Sequence, residues 1–129
     1  MDADRKPVDF VVSHDRAEDY VGDGLRDYSL YRDLGIAKAT HGAVRAHVIR
    51  MKPPFEAAAS KRHFHDVDFQ MVYVLRGWIK YSLNDREYLM EKGSCWTQPS
   101  GIRHAVLGYS DDCELLEIIA PADFHTVEA

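Results

Sequence analysis

Along this chain, apolar and polar side chains alternate with a period of two far more often than they recur every three or four residues, which is strand rather than helix patterning. Asp68 to Leu75 is the clearest case: Gln70, Val72 and Val74 fall on one face, and Phe69, Met71, Tyr73 and Leu75 on the other. Ala43 to Met51 repeats the pattern, with Val44, Ala46, Val48 and Arg50 opposite Arg45, His47, Ile49 and Met51. The same reading predicts strands at Val8 to Ser13, Leu25 to Leu34, Trp78 to Leu83, Tyr88 to Met90, Cys95 to Gln98, His104 to Tyr109 and Cys113 to Ile119. Turn-forming residues separate them: Lys52-Pro53-Pro54, Gly77, Asn84 to Glu87, Glu91 to Gly93, Pro99 with Gly101, Ser110 to Asp112, and Pro121. Leu34 to Thr40 is expected to be a connector or short strand, and the Ala-rich Phe55 to Lys61 a loop or helical turn at the rim of whatever follows. Short strands at even spacing predict an all-β sandwich or barrel.

A length of 129 residues fits one domain, 1–129, with residues 1–7 expected to be disordered and a core over about 43–120. The 46% hydrophobic and 29% charged content is ordinary for a soluble protein. A formal charge of -5 without clustered Lys and Arg argues against nucleic acid as a partner. No apolar run approaches a membrane span or a signal peptide, so the expectation is a cytoplasmic protein without a membrane partner. Two cysteines, Cys95 and Cys113, are too few for a disulfide framework and are expected to be buried small hydrophobes. The large apolar set Phe69, Met71, Tyr73 and Leu75 needs cover from a second sheet or a partner chain, which predicts a homodimer.

The chemistry concentrates between His63 and His104. His63 and His65, one residue apart on a strand, share a face. Gln70 lies on the next strand, and Pro99 and Gly101 form a turn that leads into His104. Imidazoles suit zinc, copper, iron and nickel. The expectation is one mononuclear metal held by His63, His65 and His104, with Gln70 as a fourth ligand through its amide oxygen or, alternatively, bonded to a metal-bound water. His47 can also enter an interior pocket, although a lone strand histidine is more often a satisfied structural residue.

The spacing resembles both signature motifs of the cupins. His63-x-His65, four residues, Gln70, six residues and Gly77 follow the first; Gly93, five residues and Pro99-x-Gly101-x-x-His104 follow the second. The resemblance implies a double-stranded β-helix (jelly-roll) barrel and a divalent metal: Fe2+, Zn2+, Mn2+ or Ni2+. Two departures stand out, Gln70 where the family usually has Glu, and Gly108 where it often has Asn. A neutral amide cancels none of the metal's charge, leaving a stronger Lewis acid that favours an anionic or chelating small-molecule substrate. Because one fold hosts many functions, three readings follow. Oxygen chemistry at a non-haem iron leads narrowly. Non-redox Lewis-acid isomerisation, decarboxylation or cyclisation comes second, and small polyketide-cyclase-type cupins resemble this chain in having a glutamine near the metal. Ligand binding or sensing without turnover is third. Val72, Trp96, Arg103 and Val106 are candidate substrate contacts, and Tyr73, Tyr109 and His47 candidate catalytic bases.

Overall fold

The computed structural model describes residues 6–22, 29–55, 63–123 and 125–128, with the backbone alone described for 63–65 and 125–128. Among the described residues, ten strands form two five-stranded sheets. In chain order they are β1 (Ser29–Asp33), β2 (Arg45–Met51), β3 (His63–Asp66), β4 (Phe69–Arg76), β5 (Trp78–Leu83), β6 (Arg86–Glu91), β7 (Cys95–Thr97), β8 (His104–Tyr109), β9 (Glu114–Ala120) and β10 (His125–Glu128). One sheet has the order β1-β2-β9-β4-β7 and the other β10-β3-β8-β5-β6, with antiparallel neighbours throughout. This is an all-β jelly-roll barrel.

The inner faces carry the alternation read from the sequence. Val72 and Val74 on β4, Ile79, Tyr81 and Leu83 on β5, and Ile49 and Met51 on β2 meet in one buried cluster with Val106, Tyr109, Cys113 and Leu115. Removing this apolar surface from water is the main stabilising term. The outer face of β4 points away from the second sheet, and Phe69 and Tyr73 remain 42% and 38% exposed.

Turn chemistry sets the register. Asn84 and Asp85 both have positive φ, 51° and 69°, the conformation of a two-residue type I′ hairpin. The turn is therefore tighter than the four residues expected, and β6 begins at Arg86. Gly77 (φ 68°) has no room for a side chain, because a Cβ there would run into Ser110, Asp112 and the backbone of Cys113. On β8 the expected face of His104, Val106 and Gly108 is broken by a bulge. Tyr81 pairs with Val106 but Lys80 pairs with Gly108, leaving Leu107 as the extra residue. The phase shifts by one, so Tyr109 rather than Gly108 takes the next interior place.

Other expectations change at the edges. Val8 to Ser13 is irregular chain rather than a strand; Asp9 N donates to Ala39 O, and Val8 and Phe10 are 69% and 91% exposed. Its consecutive apolar residues lack the alternation that gives a strand one face to bury. The connector after β1 contains a helical turn, α1 (Ile36–Ala39), entered through Gly35 in the left-handed region. The predicted strand from Leu25 becomes β1, its residues 25–28 lying outside the described ones, as do most of Phe55 to Lys61 and the N-terminal 1–5. The C-terminal tail returns as β10 against β3. Among the described residues, no helix is long and apolar enough to cross a membrane.

Cys113 is fully buried, as expected, but Cys95 is exposed, because its neighbour Trp96 takes the inward position on β7. Burial, with Asp112 and Glu114 nearby, pushes the Cys113 thiol up from 9.0 to about 12. Between those values the folded chain keeps a proton that the unfolded chain releases, so this contribution to stability is complete below pH 9.0 and falls as pH rises toward about 12. A thiol reagent at pH 8 is expected to label Cys95 alone in the native protein and both cysteines in denaturant; labelling of both in the native state contradicts this burial. The sequence expectation of a homodimer takes the outer face of β4 as its interface. Light scattering is then expected to give the mass of two chains, reduced to one by Tyr73→Lys, and a single-chain mass for the unaltered protein overturns it.

Candidate functional site

Three polar side chains stand together on the inner wall of the first sheet. Strand β9 lies between β2 and β4, and register places Glu117 opposite both His47 and Val72. Cross-strand partners share a face, so Glu117 enters the interior between the two strands. Its Oε1 lies 2.6 Å from His47 Nε2, and its Oε2 accepts a hydrogen bond from Gln70 Nε2 at 2.8 Å. His47 and Gln70 are 8% and 3% exposed, and the Glu117 side chain 14%. A carboxylate this enclosed costs several kcal/mol to desolvate unless it is paired. Two charge-assisted bonds, worth about 1.5–3 kcal/mol each, are the compensation. The His47 ring also packs against Tyr31, with centroids 5.0 Å apart.

The pairing decides which way the Gln70 amide faces. An ionised carboxylate only accepts hydrogen bonds. The amide nitrogen must therefore point at Glu117, which turns the amide oxygen the other way.

The second sheet contributes His104, buried at 4% exposure. Its Nδ1 lies 3.3 Å from the carbonyl of Ile102. Donation to that oxygen leaves the lone pair on Nε2, the tautomer a metal-binding imidazole needs. Register sets His63 directly across from His104 on β3 and β8. The side chains of His63 and His65 lie outside the described residues.

Gln98 connects the two walls. Its backbone N–H donates to the carbonyl of Gln70, its Oε1 accepts from Trp96 Nε1 at 3.0 Å, and its Nε2 stands 3.5 Å from His104 Nδ1. Tyr81 packs edge-on against both Trp96 and His104.

Of the predicted substrate contacts, Val72 and Val106 line the interior at 1% and 3% exposure, and Trp96 is half-buried against Tyr81. Arg103 is exposed rather than in the pocket, since it precedes the inward His104 on an alternating strand. Tyr73 also falls outside, on the outward face of β4, and does not reach the interior as a base. Tyr109 is interior, but its hydroxyl donates to the carbonyl of Lys52 and its ring meets the edge of Phe55. Of the three predicted bases, His47 is the one placed beside Gln70's partner. Glu117 and Gln98 were missed. Glu117 had a signal in the sequence: it is the polar member of the otherwise apolar set Leu115, Glu117 and Ile119. Among the described residues, no group of three or more His, Cys, Asp or Glu is gathered to hold a metal. Among the described residues, the Nε2 of His104 and the Oε1 of Gln70 are donor atoms of a kind that divalent ions take.

Breaking the interior pair leaves a carboxylate short of a partner. His47→Ala is expected to destabilise the fold by about 1–3 kcal/mol in urea titration, with partial recovery in His47→Gln. An unchanged midpoint would show that the pair contributes nothing.

The family model for the Cupin domain matches residues 50–119, more than half of the chain. Solved structures share the fold at low identity. The polyketide cyclase RemF from Streptomyces resistomycificus is 19% identical, with a TM-score of 0.70 over 92% of this chain and 86% of that one. A sugar phosphate isomerase from Silicibacter pomeroyi is 20% identical, with a TM-score of 0.64 over 80% and 66%. A salicylate 1,2-dioxygenase from Pseudaminobacter salicylatoxidans is 10% identical, with a TM-score of 0.64 over 81% of this chain and 31% of that one. No curated protein sequence matches. With both signature motifs in place on adjoining strands of a jelly roll, and the family model spanning them, the chain belongs to the cupin family.

Proposed function

We propose that the barrel interior is a metal-dependent catalytic site for non-redox chemistry on a small carbonyl compound, of the isomerase, decarboxylase or cyclase type. The observation that carries this reading is the His47–Glu117 pair, a carboxylate and an imidazole 2.6 Å apart beside Gln70. Proton transfer next to a carbonyl needs a base held near the reacting carbon. On the sequence alone, no such base was assured and oxygen chemistry led narrowly. Glu117 shifts the balance by supplying both a base and a negative charge.

His63, His65, His104 and Gln70 would hold the ion, and it would act as a Lewis acid that polarises the substrate's carbonyl oxygen. Glu117 takes a proton from the carbon beside that carbonyl. His47 hydrogen-bonds the carboxylate and holds it in place. Val72 and Val106 form apolar walls that keep water from the carbanion-like centre. The Ile102 carbonyl, accepting from His104 Nδ1, holds the imidazole in the tautomer with its lone pair on Nε2. Two proteins that share this fold, RemF and the sugar phosphate isomerase, are named for cyclase and isomerase chemistry, the reaction types proposed here.

The test pairs metal analysis of protein purified without added metal with turnover over a panel of diketones, hydroxy acids and aldose–ketose pairs. The expected outcome is about one divalent ion per chain, lost in His104→Ala, and solvent-deuterium incorporation beside the carbonyl that falls at least about 100-fold in Glu117→Gln. Oxygen consumption after iron loading would instead establish dioxygenase chemistry. No metal in the unaltered protein, even after reconstitution, would overturn the site.

A further inference from the structure

We infer that Glu117 is a positioning residue for the metal site, clamping the Gln70 amide so that its oxygen is presented as a ligand. The inference rests on the metal reading above and extends it to a residue outside both signature motifs. Left to itself, a glutamine amide binds a metal weakly and can present either nitrogen or oxygen. Here Nε2 is committed at 2.8 Å to Glu117 Oε2, and the other carboxylate oxygen is committed at 2.6 Å to His47. The carboxylate is thus fixed from its far side by β2 and itself fixes a side chain on β4. The backbone of Gln70 is pinned as well, its carbonyl accepting from Gln98 N at 3.0 Å. The arrangement also accounts for the departure at position 70. A glutamate there would set two carboxylates face to face across the contact that now joins amide to carboxylate. Gln70 and Glu117 therefore work as one exchanged unit, the negative charge moved one strand over and the amide left as ligand.

The test uses the full chain stripped of metal and titrated with Co2+, read by calorimetry and by the visible absorption of the ion, which reports its coordination. Glu117→Leu is expected to weaken Co2+ binding about 10- to 100-fold, the usual range for a group that orients a ligand. Its spectrum should match that of Gln70→Ala. The Gln70→Ala/Glu117→Leu double variant should bind no more than about twofold more weakly than Gln70→Ala alone, since a clamp has no effect once the ligand is gone. Glu117→Gln keeps an acceptor for the amide and should stay within about threefold of the unaltered chain. Independent effects that multiply in the double variant, or an unaltered spectrum in Glu117→Leu, would overturn the inference. Should Glu117→Leu fail to fold, the exchange Q70E/E117Q decides: it restores one carboxylate facing one amide and should bind Co2+ more tightly than Q70E alone, whereas equal binding overturns the clamp. His104→Ala separates the two failures. Binding that survives it removes the metal site itself, while binding lost there with an unaltered Glu117→Leu spectrum removes this inference alone.

Discussion

A carboxylate enclosed between two β-strands is the constraint on which the interior of this barrel depends. Glu117 sits on β9, in the middle of the first sheet, where water cannot solvate it fully. An unpaired charge there would cost more than a typical domain can spare from its net stability. Its neighbours are therefore chosen for it: an imidazole on one side and an amide on the other. Both come from strands hydrogen-bonded directly to β9, so the ladder that holds the sheet also holds the polar unit. The same logic recurs among its neighbours, where Trp96 Nε1 donates to Gln98 Oε1 and His104 Nδ1 lies against the carbonyl of Ile102.

Much of this was legible in the sequence. Period-two alternation from Phe69 to Leu75 gave the inner and outer faces of β4 correctly, because one face is buried and a slip of one residue would expose it. The spacing of the two histidine motifs identified the family, since each spacing sets which residues meet on adjacent strands. Position 117 was not legible in the same way. The run Glu114-Leu115-Leu116-Glu117-Ile118-Ile119 puts one glutamate and two apolar residues on each face of its strand, so Glu117 stands out in its set but alternation leaves the phase open. Only the register with β2 and β4 decides that Glu117 points inward.

Tyr73 and Arg103 fall outside the interior, and Tyr109 within it, for a related reason. A side chain's chemistry is visible in sequence, but its face is set by local geometry. Tyr73 lies one residue from the inward Val72 and Val74 and therefore points out. Tyr109 would follow Leu107 outward were it not for the bulge that shifts β8 by one residue and turns its ring into the core. Bulges leave little trace in composition, and they concentrate where a strand must re-aim side chains near a site.

Charge placement links the sequence departure to the proposed chemistry. A carboxylate bound directly to the ion would quench part of its Lewis acidity and be spent as a base. On the proposed ligand set, moving that carboxylate to β9 would leave three imidazoles and an amide, all neutral, to hold the ion, while keeping the negative charge on the same inner wall. Such an ion would keep its full charge for polarising a carbonyl oxygen, and the carboxylate would keep a lone pair for a proton. The two demands conflict at a single residue and are compatible when divided between Gln70 and Glu117, which the adjacent strands β4 and β9 hold in contact.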